Sequence, residues 1–516
     1  MEILGIALST LYVAALLLLC LYGVNCYIMI LLHRRHRSRT PGQAGAADRG
    51  LATAPGDVTT PDDALPVVTV QLPLYNERYV AARLIEAVAR FDYPADRLEI
   101  QVLDDSTDET GEIVAGVVGR LRRAGHRIEQ IRRARREGFK AGALRDAFPR
   151  AHGELLAVFD ADFVPPPDFL RRVLPHFADQ RVGMVQARWG HLNPDYSSLT
   201  RAQALGIDGH FGVEQTARSW SGLFLNFNGT AGIWRRQAIA EAGGWATDTL
   251  TEDLDLSYRA QLRGWRLVYL PELVCPAELP VTIGAFKSQQ HRWAKGSIQT
   301  ALKILPALLR ARLPLWVKYQ AMVHLTHYAV HPLMVLVALL SVPLLLMDRF
   351  FMDLTWLFSS AVLFSLATFG PSSLYVYSQR QLYPDWRRRL LNMPFLMCAG
   401  TGIAVSNTRA VLGALVGSRN EFVRTPKFGV VRRGERWQGK AYASGSAWLA
   451  VFEGALAGYC AVGLSLFIAR SRFLITPFLV IYTAGFTYVA LLTALHALAA
   501  ARPHLVVPAF GRRRAA

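Results

Sequence analysis

Two kinds of hydrophobic pattern divide the chain. Residues 3–32, ILGIALSTLYVAALLLLCLYGVNCYIMILL, carry no charge and exceed the ~20 apolar residues that span a bilayer as a helix. The basic run HRRHRSR follows them. A secretory signal would instead show a basic start, a shorter apolar core and a small-residue cleavage site. Residues 1–39 therefore read as a membrane anchor with its basic end in the cytoplasm and its N-terminus outside. Residues 40–65 are rich in Gly, Ala, Pro and Thr without apolar periodicity, the pattern of a linker.

From Val67 the pattern changes to short apolar runs separated by amphipathic stretches. VVTVQLP, LEIQVLDD, IEQIRR, LLAVFDAD and VGMVQARW predict strands, with helices near 79–90, 108–124, 138–148 and 167–178. This alternation predicts an α/β domain over 66–300 with a mostly parallel sheet covered on both faces. Ligands of such sheets bind at the carboxyl ends of strands, where LDDSTDET and FDADF fall.

Long apolar runs return after residue 319. Spans are expected near 319–347 and 354–377, and again near 446–468 and 473–500. Between the pairs, 389–415 is apolar but interrupted by Gly400, Gly402, Ser406, Asn407 and Arg409. Taking it as interfacial or re-entrant keeps the basic segments SRNEFVRTPKFGVVRRGERWQGK, QRQLYPDWRRR and the tail GRRR on the cytoplasmic side, as the positive-inside rule requires. The expected organisation is then five crossings plus one surface helix. An interfacial helix and two spans fill 301–377, a cytosolic interfacial segment with a loop 378–445, and two spans with a basic tail 446–516. The net charge of +18 does not indicate nucleic acid, because the Lys and Arg sit mainly beside apolar spans, where they set topology and meet anionic lipid. The five cysteines are scattered, without metal-ligand or disulfide spacing, which suits a reducing cytosolic face.

Candidate chemistry sits at the strand ends. In FDADF, Asp160 and Asp162 would share one side of a strand that Pro165, Pro166 and Pro167 terminate. Carboxylates so close repel unless a cation lies between them; the alternative is a solvated strand end. LPLYNE admits Asn76 as a helix cap. In LDDSTDET, Ser106 and Glu109 fit a capping box, leaving Asp104 and Asp105 unexplained. In TEDLDLSY, Thr249 and Glu252 fit another, leaving Asp253 in a first helical turn. In QQHRWAKG, Gln289, Arg292 and Trp293 share one helix face. A guanidinium beside an indole suits a phosphate next to a stacked sugar, although an amphipathic helix at headgroup level would look the same.

This ordered set resembles the processive family 2 glycosyltransferases, the inverting membrane enzymes that include cellulose, chitin and hyaluronan synthases. Their D, D-x-D, T-E-D and Q-x-x-R-W series appears as Asp105, Asp160 and Asp162, Thr251-Glu252-Asp253, and Gln289, Arg292 and Trp293. LPLYNE, LDDSTDET, REGFKAGAL and EFVRTPKFG look most similar to the cellulose-synthase-like group containing mannan/glucomannan synthases and xyloglucan-backbone glucan synthases. The resemblance covers about residues 66–440 and implies a GT-A-type domain inserted between membrane helices. It also implies that Tyr75, Glu77 and Asp105 hold the nucleoside of a nucleotide sugar, UDP-glucose or GDP-mannose, with Lys140 nearby. Asp160 would face the ribose and diphosphate, Asp162 would ligate Mg2+ or Mn2+, and Arg292 would add charge at the diphosphate. The cation would offset the repulsion between the two acids.

By the same resemblance Asp253, beside Glu252, is the general base and Trp293 stacks under the acceptor glycan. Phe227 to Thr230 ends an acceptor-touching helix, and Phe422, Thr425 and Lys427 match a gating loop in which Arg424 replaces a valine. One span before the domain is fewer than in bacterial cellulose synthase, and cyclic-dinucleotide control within the chain is not expected. RRARR (132–136) reads as a loop or lipid contact. The expected function is polymerisation of a β-linked glycan at an inner (plasma) membrane. A lipid-directed transferase adding one or a few sugars, and a non-catalytic nucleotide-sugar-binding subunit, are the competing readings.

Overall fold

The structure, a computed structural model, describes residues 2–37, 64–350, 362–418, 422–442, 448–471, 473 and 475–501. Residues 38–63, which hold all but the last two positions of the expected linker, the first part of the expected 354–377 span and the basic tail lie outside the described residues.

Helix α1 (Glu2–Arg37) leads into a seven-stranded sheet with helices on both faces. In chain order come β1 (Val68–Leu74), α2 (Ala81–Ala89), β2 (Leu98–Asp104), α3 (Thr110–Arg123), β3 (Arg127–Ile131) and α4 (Phe139–Ala147). Then follow β4 (Leu155–Val158), α5 (Phe169–Val173), β5 (Val182–His191), α6 (Ser198–Gly209) and α7 (Thr216–Trp220), the last two joined by a π-helical turn at His210–Gln215. The domain closes with β6 (Gly232–Arg235), α8 (Arg236–Glu241), α9 (Glu252–Leu262) and β7 (Arg266–Ala277). Next are the long α10 (Ile283–Arg310), α11 (Leu315–Thr326) and α12 (Val330–Phe350).

The strand order is β3-β2-β1-β4-β6-β5-β7. The first four strands run parallel, whereas β6 is antiparallel to both β4 and β5. The sheet is thus mixed. Two strands escape the sequence pattern. β6 is only four residues long, and β7 is interrupted by Pro271-Glu272 beside a register shift at Ala187/Arg188. Strands β2 and β4 are buried at every position, which explains why their sequences show continuous runs rather than alternation. From β1 the chain steps outward to β2 and β3, then returns to the other side of β1 as β4. The gap between β1 and β4 is therefore the topological switch point, the place where open α/β sheets open a crevice.

None of the three expected caps forms. Ser106 Oγ accepts from Asn76 N–H (2.9 Å), and Glu109 pairs with Arg78 (2.6 Å) instead of folding back. Asn76 takes a positive φ of 55° and spends its side chain on Thr107. Thr251, not Thr249, is the N-cap residue of α9, and its hydroxyl bonds Thr300 rather than the helix. Sequence spacing fits the boxes; the turns they sit in are committed to the neighbouring loops.

Five helices among the described residues are long and apolar enough to cross a membrane: Ile3–Arg37, Leu315–Asp348, Trp386–Leu415, Trp448–Ala469 and Thr476–Ala501. Trp386–Leu415, which the charge pattern made interfacial, meets that measure, although it is broken at Leu390–Asn392 and Ile403. The chain is an integral membrane protein. Its helices approach closely through small residues: a Cβ on Gly370 would lie 2.1 Å from the Gly23 carbonyl, contact of the small-residue kind that lets backbones meet in lipid. Helix α10 ties the two parts together. Lys287 Nζ lies 2.6 Å from Glu453 on helix Trp448–Ala469 and donates to Thr493 on Thr476–Ala501 (2.7 Å), all three buried.

Candidate active site

A cleft of about 1220 Å3, counting the open space at its mouth, lies over the carboxyl ends of β1, β2 and β4. Every expected site residue lines it. Tyr75 and Glu77 follow β1, Asp105 follows β2, Asp160 and Asp162 follow β4, and Lys140 comes from the first turn of α4. Glu252 and Asp253 begin α9. Gln289, Arg292 and Trp293 face in from α10, so that face is turned to the cleft rather than to a membrane surface. Phe422, Thr425 and Lys427 come from the segment 422–442, which crosses the mouth as a strap.

Against the expectation that the two acids of FDADF share one side of a strand, β4 ends at Val158 and they sit in the turn beyond it. Their repulsion is offset by protein. Asp160 Oδ1 accepts from Lys140 Nζ (2.6 Å), and Asp162 Oδ2 from Lys427 Nζ (2.5 Å). Lys140 also donates to the Gly229 carbonyl (2.8 Å) and lies 3.7 Å from Glu252. Burial pulls its pKa down, but Asp160 and Glu252 outweigh burial and hold it above the usual lysine value. Glu77 lies 2.9 Å from Arg424, yet burial pushes its carboxyl up to about 8. The arginine that replaces the loop valine thus reaches an acid at the switch point.

Asp105 is gripped by one edge of an arginine, with Arg133 Nε 3.0 Å from Oδ1 and Nη2 2.5 Å from Oδ2. The remaining Arg133 donors hold Asp146 and the carbonyls of Glu137 and Phe139. Asp104, buried beneath, bonds Ser106 N–H and Gln130. RRARR is a loop, as expected, but Arg133 holds the cleft acid Asp105 and Arg136 lines the cleft. Sequence spacing offered no signal for this, since partners 28 positions away meet only through the β2–β3 pairing.

Asp253 accepts the N–H of Leu254 (2.9 Å) and makes no ion pair among the described residues. Burial, then the neighbouring Glu252 carboxylate, raise its pKa to about 7 against the pull of Lys140. Two glycines bring backbone against this corner. A Cβ on Gly229 (φ 81°) would lie 2.9 Å from Asp253 Oδ2, and one on Gly296 of α10 2.5 Å from Thr251 Cγ2. In the Phe227–Thr230 loop, Thr230 Oγ1 accepts from Asp160 N–H (2.8 Å) and Asn228 from Gln215 (2.7 Å). Trp293 lies 6.3 Å from Trp189, whose ring also packs on Phe163 and Phe211. Trp189 and Glu278 were not anticipated; Glu278 ties the strap down through Phe428 N–H (3.0 Å) and Arg83 (3.3 Å).

No group of three or more His, Cys, Asp or Glu able to hold a metal occurs among the described residues. The donor set nonetheless fits a hard divalent cation of the kind bound by one or two carboxylates together with substrate phosphates. Asp162 offers the carboxylate, and the cations Lys140, Lys427 and Arg292 line the same cleft.

Residues 66–296 match the family model described as "Glycosyltransferase like family 2", and the fold of this region is GT-A-like. A mannosyltransferase from Pyrobaculum calidifontis, solved in complex with GDP-Man and Mn2+, shares the fold: TM-score 0.53, 21% identity, covering 80% of this chain and 100% of that one. The chain is also similar to plant glucomannan mannosyltransferases. Glucomannan 4-beta-mannosyltransferase 2 of Arabidopsis thaliana is 47% identical over 250 residues, 48% of this chain and 47% of the relative. Glucomannan 4-beta-mannosyltransferase 1 of Oryza sativa subsp. japonica is 44% identical over 261 residues, 49% of this chain and 50% of the relative. The chain spans about half the length of the curated relatives it matches.

Proposed function

We propose that this protein is an inverting membrane hexosyltransferase that polymerises a β-linked glycan of the mannan or glucan type from a nucleotide sugar and passes it through its own helices. The mannosyltransferase relatives favour GDP-mannose over UDP-glucose as donor. The observation that carries the reading is the convergence of Asp105, Asp160, Asp162, Asp253 and Arg292 on one cleft at the switch point of the sheet, on a domain tied by α10 to membrane helices.

Asp253 is the general base. An acceptor hydroxyl attacks the anomeric carbon, its proton passes to the Asp253 carboxylate, and the bond to the diphosphate breaks with its electron pair leaving on the diphosphate. Attack from the opposite face turns an α-linked donor into a β-linkage. A base near neutral pKa matches the reaction at neutral pH. Lys140 and Arg292 meet the charge on the departing diphosphate, and Asp105 with Tyr75 holds the nucleoside. Trp293 supports the acceptor sugar. Asp162 would hold Mg2+ or Mn2+, which when bound supplies Lewis-acid charge to the phosphates. Phe422, Thr425 and Lys427 close over the donor. The positive-inside pattern supports a cytoplasmic domain at the inner (plasma) membrane.

Purified protein in lipid vesicles, given labelled GDP-mannose or UDP-glucose with Mn2+ or Mg2+, should yield long polymer. Product confined to one or a few sugars on lipid would refute polymerisation, and no transfer with any donor would refute the enzyme.

A further inference from the structure

We propose that Arg136 reads the nucleobase of the donor and selects guanine over uracil; this rests on the nucleotide-sugar reading above. Its Cζ lies 3.5 Å from the Tyr75 ring centroid, 4.9 Å from Phe139 and 5.7 Å from Phe422. Phe139 and Phe422 stack on each other at 5.4 Å and 24°. Three aromatic rings thus border one guanidinium. Its Nε is buried without a hydrogen-bond partner, and Arg136 makes no hydrogen bond or ion pair among the described residues. Its neighbour Arg133 is the opposite case, with donors spent on two carboxylates and two carbonyls.

A guanidinium has donors and no acceptor, and a buried donor left unmet is costly. Arg136 therefore calls for acceptors from a ligand in the cleft it lines. With its Cζ set over the Tyr75 ring, its N–H groups are left for the edge of whatever enters. Phosphate is the poorer match. The cations placed for a diphosphate, Lys140 and Lys427, sit on Asp160 and Asp162 beyond β4, whereas Arg136 follows β3 among aromatic walls. Flat apolar walls suit a flat ring.

The edge chemistry then discriminates. Guanine presents O6 and N7 side by side, the acceptor pair an arginine fork takes bidentately. Uracil offers O4 alone on that edge, next to a C–H. Asp105 does not choose, because a carboxylate accepts the ring N–H of either base. Selection falls to Arg136.

The test is isothermal titration calorimetry of GDP and UDP, with Mn2+, on the full-length protein in detergent. The wild type should bind GDP about tenfold or more tighter than UDP, as a bidentate base contact implies. Arg136→Ala should bring the two affinities near parity by weakening GDP. Arg136→Lys, which keeps the charge but not the fork, should do the same and controls for misfolding. Equal losses for GDP and UDP in Arg136→Ala, restored by Arg136→Lys, would mean a phosphate contact and overturn the base-reading role alone. Unchanged affinities in both variants, or a wild type that prefers UDP, would also overturn it. A wild type that binds neither nucleotide would remove the functional reading along with it.

Discussion

Lys427 and Asp162 are 265 positions apart in the chain and 2.5 Å apart in space. The pair is buried on both sides, and it pins the strap at residues 422–442 to the turn after β4. Removing one member of a buried ion pair typically costs about 3–5 kcal/mol, because the other is left uncompensated. Lys427→Ala should release the strap. Limited proteolysis should cut faster within 422–442, and donor KM should rise about tenfold or more, as an orphaned charge of that cost implies. Unchanged cleavage would show that Arg424 and Glu278 hold the strap without it.

Asp253 should set the acid limb of the pH profile. A base works only when deprotonated, and its pKa is raised to about 7 by burial and Glu252. Turnover should therefore climb as pH rises through about 7 and level off above it. Asp253→Asn should remove about 10²–10⁴-fold of rate while nucleotide binding stays near wild type. An acid limb that persists in the Asn variant's residual activity belongs to another group.

Gly229→Ala probes the position of that base. The added Cβ would lie 2.9 Å from Asp253 Oδ2, at a φ of 81° that side chains resist. A shift of about 1 Å in a reacting group can cost about 10²-fold, so kcat should fall on that order. The melting temperature should drop only modestly. Wild-type kcat would mean that the Asp253 carboxylate has freedom to move.

Lys287 and Glu453 should behave as a coupled pair. Lys287→Met or Glu453→Gln alone leaves one buried group without its partner, a loss of about 3–5 kcal/mol. Lys287→Met with Glu453→Leu removes both and should recover much of the thermal stability in detergent. Additive losses in the double variant would argue against direct coupling.

How far the sequence reveals this architecture depends on range. Strands β1 to β5 and helices α2 to α5 announce themselves through local period and length, and all fourteen expected site residues line one cleft. What escaped is long-range. The pairing of Asp105 with Arg133 arises only once β2 and β3 lie side by side. Likewise Lys427 reaches Asp162 only because the strap folds back over β4. The four-residue β6 has no periodicity to detect, and it turns a nominally parallel sheet mixed. The capping boxes failed for a related reason: Ser106 and Asn76 join the loops that follow β2 and β1, a contact no local spacing encodes.

Helix α10 carries a consequence of its own. Between residues 287 and 297 it is fastened to Glu453 by Lys287, to the Ser406 carbonyl by His291, against Thr251 by Gly296, and to the Leu325 carbonyl by Ser297. A rod riveted at so many points cannot be retuned for a different sugar without disturbing membrane packing and catalytic corner together. Diversification of specificity on this scaffold is thereby channelled into the loops after β1 and β3 and the strap, the parts free to change one at a time.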